Sequence, residues 1–152
     1  QLSLVSGVAG ANYVDLLNAY LQVGSAYTFR EGAHGNVRFA PTYNATDTNV
    51  SFQANGNLAF LTFGAGDITD LNLTFPDISC VCKLLVKQDA SGGSRLITNY
   101  KTFDQAGGNE STLKFSGGSN PTLTSATNKT DMFTIYWDND THTAYADVVL
   151  NF

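Results

Sequence analysis

The chain has 152 residues, 43% of them hydrophobic, so it can build one ordinary core and is too short for two. Only 14% of the residues are charged, the net charge is −5, and the eight Lys and Arg residues are scattered singly. This distribution excludes the basic patch that would bind nucleic acid or an anionic membrane, and no run of apolar residues is long enough to span a bilayer. We therefore expect no nucleic-acid partner and no membrane partner.

The first predicted element is a short helix near the N-terminus. In NYVDLLNAYLQVG, Asn12 is a suitable N-cap, Asp15 lies in the first turn, and Gly24 ends the helical spacing of apolar residues. Because strand-like alternation replaces this pattern before residue 50, we expect residues 1–47 to form an attachment or packing segment and residues 48–152 the main domain. The chain begins at Gln1 without Met, which favours a processed chain or a piece of a longer one.

From residue 49 onward apolar and polar residues alternate, which is the pattern of half-buried strands. The run NVSFQA is followed by Asn55-Gly56, which favours a two-residue hairpin turn, and by LAFLTF as the returning strand. The next run, LNLTF, directs Leu71, Leu73 and Phe75 to one face before a proline. The pattern predicts a β-hairpin followed by a third strand.

The stretch LLVKQDASGGSRLITNY, residues 84–100, has two glycines between two apolar runs. A phosphate-binding loop would lead into a helix, whereas RLITNY is alternating and β-branched, so we predict a hairpin turn. Just before it, Cys80 and Cys82 lie on the same face of a predicted strand, which indicates buried thiols. Their spacing does not suit a disulfide, and no His lies near them in sequence to complete a metal site.

The last thirty residues carry the clearest hairpin. DMFTIYW directs Phe133, Ile135 and Trp137 to one face, DNDT turns the chain, and HTAYADVVLNF returns. We predict that the ring of Phe152 is buried, in the core or against a neighbouring subunit, because it ends a regular alternation. Many short strands with almost no helix predict an all-β fold, an antiparallel β-sandwich of the jelly-roll-like kind with one short N-terminal helix.

Residues that would carry catalysis are sparse. His34 lies in a glycine-flanked loop and His142 at the start of the last strand, and neither is accompanied by a nucleophile motif. Asp138 and Asp140 are better explained as turn residues than as a carboxylate pair or a calcium site, because the glycine and distal Glu of a calcium loop are missing. We therefore predict a protein that is not an enzyme, with no catalytic residues, no metal and no cofactor.

Asn-X-Ser/Thr sequences are somewhat more frequent than chance predicts. Asn and Thr are both favoured in turns and on solvent-facing β surfaces, so the composition explains much of this excess over chance. Each would be a glycosylation site if the chain passed through a eukaryotic secretory route. The six sites are Asn44, Asn49, Asn72, Asn109, Asn128 and Asn139.

Four segments follow one another in an informative order: VKQDASGGSR at 86–95, SGGSNPTLTSATNKTD at 116–131, MFTIYWDND at 132–140 and AYADVVLNF at 144–152. In this succession the chain, from about residue 49 to its end, resembles the C-terminal β-structured domain of tailed-bacteriophage virion surface proteins, namely tail-fibre, head-fibre and capsid decoration proteins. Where that domain has a short aromatic stretch, this chain has the longer NYKTFDQAGGNESTLKF at 99–115, which we interpret as a specificity loop.

The resemblance implies a non-enzymatic structural protein on the virion surface, assembled in the host cytoplasm, as a fibre tip that attaches to the host or as a capsid decoration subunit. Its implied partners are two further copies in a homotrimer, a fibre shaft or major capsid protein, and a bacterial surface glycan or envelope protein. Rigid aromatic and amide side chains near loops are suited to receptor contact, although core packing is the alternative for each aromatic. The receptor-binding candidates are Tyr100, Phe103, Asn109 and Trp137.

A second class of protein fits the same composition. A secreted carbohydrate-binding β-sandwich module would share the acidic balance and the aromatic residues, and it would be a monomer with a flat aromatic platform. A glycan hydrolase would instead need Asp138 and Asp140 together in a cleft.

Overall fold

The computed structural model describes residues 38–105, 107, 108 and 110–152, and the helix predicted within residues 12–24 lies outside them. In this part of the chain the strands have from two to nine residues and the helix is a single turn. In chain order the elements are β1 (Asp47–Ser51), α1 (Phe52–Asn55), β2 (Leu58–Thr62), β3 (Ile68–Thr74), β4 (Cys80–Lys87), β5 (Ile97–Phe103), β6 (Ser111–Thr112), β7 (Lys114–Phe115), β8 (Thr130–Asp138) and β9 (Thr143–Val149).

The strands form a four-stranded sheet in the order β1-β3-β5-β6 and a five-stranded sheet in the order β2-β4-β8-β9-β7. Strand β3 pairs in parallel with both β1 and β5, β2 pairs in parallel with β4, and β7 with β9. Antiparallel pairing joins β5 to β6, β4 to β8, and β8 to β9. The all-β prediction is confirmed, but both sheets are mixed rather than purely antiparallel.

The three parallel pairs within β1–β5 arise because the chain alternates between the sheets over this stretch. Strands β1, β3 and β5 belong to the four-stranded sheet, and β2 and β4 to the other, so each strand is followed by one in the opposite sheet. Parallel neighbours require a crossover connection, and here the strand of the opposite sheet supplies it. The first half of the described chain is therefore wound in coils around the core.

The hairpin predicted at Asn55-Gly56 does not form. Ser51 Oγ accepts a hydrogen bond from the Ala54 backbone N–H at 3.1 Å and so caps α1, and the chain leaves α1 through Gly56 at φ +91°. Strands β1 and β2 consequently lie in different sheets. A glycine is needed where the chain leaves α1, and in the sequence an Asn-Gly pair looks the same there as in a hairpin turn.

The DASGGS segment is not a hairpin turn either, because β4 and β5 lie in different sheets. The buried side chain of Gln88 closes this loop: its Nε2 donates to the Arg95 carbonyl and its Oε1 accepts from the Arg95 N–H, both at 2.9 Å. Asp89 accepts hydrogen bonds from Ser91 and pairs with the Arg95 guanidinium at 3.4 Å. The polar residues of this loop thus stabilise a connection that crosses from one sheet to the other.

We expect the substitution Gly93→Ala to destabilise the protein more than Gly118→Ala, by at least about 1 kcal/mol. Both glycines have positive φ, +56° and +78°, but a Cβ on Gly93 would lie 2.5 Å from the Ser125 carbonyl oxygen, whereas nothing lies within 4 Å at Gly118. Urea unfolding of the two variants measures the difference. Equal losses would show that the loop accommodates the methyl group.

One cluster of buried apolar side chains receives residues from both sheets. Phe75 stacks on Trp137 at 4.8 Å between ring centroids and on Phe52 at 5.5 Å, so aromatic rings link strand ends of the two sheets. The strand alternation predicted for β3, β4 and β8 is confirmed. Its inward residues are Leu71, Leu73 and Phe75, Cys82, Leu84 and Val86, and Phe133, Ile135 and Trp137, all of them buried.

Residues 38–47 pack on the β-domain, although the sequence pattern assigns them to the N-terminal segment. Phe39 forms a bridge with Ala59, and its ring lies 6.0 Å from that of Phe52. The Tyr43 hydroxyl donates to the Gly66 carbonyl at 2.9 Å. The β-domain therefore extends at least as far back as residue 38.

The prediction that the domain core buries Phe152 is wrong, since its side chain is 59% exposed. The backbone of Phe152 is nevertheless fixed, because its N–H and C=O exchange hydrogen bonds with Thr130 at 2.9 and 3.1 Å. Burial of the ring against a neighbouring subunit stays a prediction.

Candidate functional site

The outer face of the four-stranded sheet is polar, and its groups bond to one another. Asn72 donates to Asn49 at 3.1 Å, Asn99 donates to Asp70 at 2.8 Å, and the Lys101 ammonium lies 3.1 Å from the Asp70 carboxylate. The hydrogen bond from Asn99, together with that from Lys101, lowers the pKa of Asp70. Most of the polar groups named on this face are therefore bonded to one another.

The outer face of the five-stranded sheet differs, because aromatic and apolar side chains lie in register across its strands. Val81 on β4 is opposite Tyr136 on β8, Tyr136 is opposite Tyr145 on β9, and Tyr145 is opposite Lys114 on β7. Tyr136 and Tyr145 are 47% and 45% exposed. The Lys114 ammonium lies 5.5 Å from the centre of the Tyr145 ring, within the range of a cation–π contact.

This row borders two shallow grooves that adjoin each other at β7. The first has a volume of about 430 Å³ and is lined by Tyr136, Tyr145, Lys114 and Asp147 among others. The second, of about 660 Å³, shares Tyr145 and Lys114 and adds Asn120 with several Ser and Thr hydroxyls. In the first groove Ser116 Oγ donates to Asp147 Oδ1 at 3.0 Å, which orients the carboxylate. We call the two together the β7 groove.

Two of the four sequence-predicted receptor-binding residues, Tyr100 and Trp137, are buried and do not lie at a surface. Tyr100 is buried, with its ring 5.0 Å from Phe115 and 5.9 Å from Phe133, and desolvation by burial raises the pKa of its hydroxyl. Trp137 is also buried, and its indole N–H donates to the Pro76 carbonyl at 3.0 Å. A buried ring cannot stack on a sugar, so for both residues the core-packing alternative is correct.

The other two candidates differ in what the structure says of them. Phe103 is half-buried at the end of β5, and its carbonyl accepts a hydrogen bond from the Phe75 N–H at 3.0 Å. Asn109 lies outside the described residues. The exposed aromatics that sequence reasoning missed are Tyr136 and Tyr145. The alternation that directs Trp137 inward directs Tyr136 outward, so the signal was present in β8.

Several side chains whose chemistry could serve catalysis or metal binding have polar neighbours in the structure. Asp138 accepts hydrogen bonds from the Asp140 N–H at 3.1 Å and from the Thr141 hydroxyl at 2.8 Å, as expected of a turn residue. The sulfur atoms of Cys80 and Cys82 lie 3.7 Å apart, and desolvation by burial raises the pKa of both thiols. His142 has φ +48° in the turn before β9, with Nδ1 3.8 Å from an Asp104 carboxylate oxygen.

Within residues 38–105, 107, 108 and 110–152, no group of three or more His, Cys, Asp and Glu side chains is arranged to hold a metal ion. In the same residues, no helix has the length and apolar character needed to cross a membrane.

No protein-family model, curated protein or solved structure matches the chain. The β7 groove, with its two exposed tyrosines, the Lys114 ammonium and the Asp147 carboxylate, is the candidate site that the geometry itself indicates.

Proposed function

We propose that this chain is a non-enzymatic structural protein exposed on the surface of a tailed-bacteriophage virion, as a fibre tip that contacts the host or as a capsid decoration subunit. The proposal rests on the resemblance of residues 49–152. The expectation of a jelly-roll-like sandwich accompanies it, because viral capsid domains use that architecture.

The observation that supports it most is that the four resembling segments contact one another. The Ser94 N–H of the first segment donates to the Ser125 carbonyl of the second at 2.8 Å, and the Gln88 N–H donates to the Lys129 carbonyl at 2.8 Å. The second and fourth segments meet where Thr130 pairs with Phe152. A shared order of segments is more informative when the segments build one structural unit.

The buried carboxylate of Asp131 joins the second and fourth of these segments. It lies at the boundary of the second and third segments, accepts hydrogen bonds from the Thr124 N–H and hydroxyl at 2.8 and 2.6 Å, and accepts a third from the Asn151 N–H at 3.0 Å. Gln88 and Arg95, in the first segment, form the loop that packs against Ser125. These polar residues of the resembling segments therefore have defined structural roles.

Immunogold electron microscopy of purified virions tests the proposal. An antibody raised against residues 48–152 should label either the tail or the shell of intact particles, at sites repeated by the particle's symmetry. The control is an antibody preparation absorbed with the purified protein. Labelling of neither structure would contradict both forms of the proposal.

A secreted carbohydrate-binding module is the second candidate, favoured by the exposed Tyr136 and Tyr145 on one sheet face. The two functions differ in oligomeric state, because the virion function implies a homotrimer that covers open edges and exposed apolar residues. Light scattering of the 16.3 kDa chain separates them. A stable trimer supports the virion function, and a monomer with measurable polysaccharide affinity supports the module.

We expect the substitution Phe152→Ala to leave the stability of the isolated domain within about 0.5 kcal/mol, because the exposed ring has few contacts and the backbone bonds to Thr130 remain. In the proposed trimer the same change should shift the equilibrium toward monomer, since a neighbouring subunit would cover the ring. Sedimentation velocity measures this shift, with exposed Ile78→Ala as the control. An unchanged trimer would show that the ring lies outside the interface.

A further inference from the structure

The β7 groove combines the two kinds of surface that a sugar ring requires. A pyranose has a face of C–H groups that packs on aromatic rings and a rim of hydroxyl groups that form hydrogen bonds. Tyr145 borders both parts of the groove, is 45% exposed, is in register with Tyr136 on the adjacent strand, and has the Lys114 ammonium 5.5 Å from its ring centre. A rigid aromatic side chain of this kind provides contact area at low entropic cost.

Polar groups surround this aromatic centre. Among the described residues no carboxylate lies within ion-pair distance of Lys114, so its ammonium hydrogens are available to a ligand. Asp147 offers a second oxygen beyond the one bonded to Ser116. The Asn120 amide N–H₂ donates to the Thr98 carbonyl at 3.2 Å, and the amide oxygen of the same side chain can accept a hydrogen bond from a ligand. The groove therefore offers both donors and acceptors to a ligand.

The charge and the size of the β7 groove indicate which class of ligand it would bind. Lys114 and Asp147 are the charged side chains that line the groove, and their formal charges cancel, which suits an uncharged ligand. The centre of a protein–protein interface is normally depleted of charged residues, whereas here they lie beside the exposed tyrosines. Volumes of about 430 and 660 Å³ fall within the usual range of small-ligand sites.

The insertion at 99–115 gives a further reason to consider this groove a recognition site. That segment ends in β7, whose Lys114 and Phe115 pair with Tyr145 and Ala146 of β9 and separate the two parts of the groove. The part of the chain that departs from the resembling pattern thus builds the groove wall, which agrees with the interpretation of the insertion as a specificity loop.

We propose that the β7 groove binds a neutral oligosaccharide, with a sugar ring packed on Tyr145 and its hydroxyls bonded to Lys114 and Asp147. This inference deepens the proposed function and rests on its fibre-tip form, in which the groove is the receptor site. A fibre tip with this site recognises the uncharged part of a bacterial surface polysaccharide.

The test is binding of the full chain to an array of neutral and uronate-containing oligosaccharides, followed by titration calorimetry with the best neutral probe. Tyr145→Ala should weaken binding about tenfold or more, and Asp147→Asn should weaken it severalfold while keeping the shape of the side chain. The control is Leu96→Ala, which removes an apolar side chain that is 50% exposed and lies outside the groove. Leu96→Ala should leave the affinity unchanged, and thermal melting checks that each variant is folded.

Three outcomes overturn the inference: no binding to any neutral probe, preferential binding to uronate-containing probes, or equal binding by wild type and both groove variants. The alternative occupant of the groove is a second copy of this chain, and sedimentation tests it. A trimer that dissociates when Tyr145 is replaced with Ala would place a second copy in the groove. Failure of the inference is distinguishable from failure of the proposed function. If the chain is found on virions but does not bind neutral glycans, the glycan site is contradicted and the virion function stands. If the chain binds glycan but is absent from virions, it is the carbohydrate-binding module.

Discussion

Replacing Trp137 with Ala should lower the free energy of unfolding by about 3–5 kcal/mol, the usual cost of removing a large aromatic from a packed core. The Trp137 ring is fully buried, stacks on Phe75 at 4.8 Å, and donates its indole N–H to the Pro76 carbonyl at 3.0 Å. The substitution removes a contact between the sheets and leaves the Pro76 carbonyl without its indole donor. For a domain of this size the melting temperature should fall by about 6–20 °C in calorimetry.

The matched control is Tyr136→Ala, on the neighbouring residue of the same strand. Tyr136 faces outward, so its loss should change the stability by less than about 1 kcal/mol, the span of strand propensities. The loss of stability in Trp137→Phe should lie between those of Trp137→Ala and Tyr136→Ala, because the Phe keeps a ring beside Phe75 but lacks the indole N–H. If Trp137→Ala and Tyr136→Ala proved equally mild, the inward and outward faces of β8 would be wrongly assigned.

Asp131→Ala is expected to destabilise the domain by about 2–4 kcal/mol, because it leaves the Thr124 N–H and hydroxyl and the Asn151 N–H without their acceptor. The carboxylate is 1% exposed, so water cannot readily replace it. The same change should release the C-terminal residues from β8, which hydrogen exchange at Asn151 and Phe152 would report. Chemical denaturation gives the free energy.

Asp138→Ala is the control for Asp131→Ala. Asp138 also accepts two hydrogen bonds, but both belong to the exposed turn at Asp140 and Thr141, so its loss should cost about 1 kcal/mol or less. Asp131→Asn keeps the shape of the side chain and should be milder than Asp131→Ala. If Asp131→Ala were no worse than Asp138→Ala, the contact among the resembling segments would contribute little to stability.

The faces of the strands could be predicted from the sequence, but the partners of several strands could not. Alternation reports which residues of a strand point inward, and it is correct for Leu71, Leu73 and Phe133. A glycine turn after a strand looks the same whether the next strand pairs beside it or crosses to the other sheet. Gly56 and Gly93 both follow strands that cross, so both predicted hairpins failed, whereas the β8–β9 hairpin is present as predicted.

The candidate site could be predicted only in part, because the sequence shows aromatic residues on both faces of the same strands. Trp137 and Tyr136 are adjacent, and only one of them can face the core. The groove also depends on β7, a two-residue strand that pairs with β9 across a long sequence separation. A pairing this short has no periodicity of its own, so Lys114 could not be placed beside Tyr145 from the sequence.

The most direct test of the proposed virion function is cryo-electron microscopy of the intact particle that contains this protein. We expect density for the two-sheet domain, in three copies around a local threefold axis, at the tip of a tail or head fibre or seated on the capsid. In the fibre-tip form, the β7 groove with Tyr136 and Tyr145 should face outward from the axis. A well-resolved tail and shell with no density that fits residues 48–152 would contradict the proposed function in both of its forms.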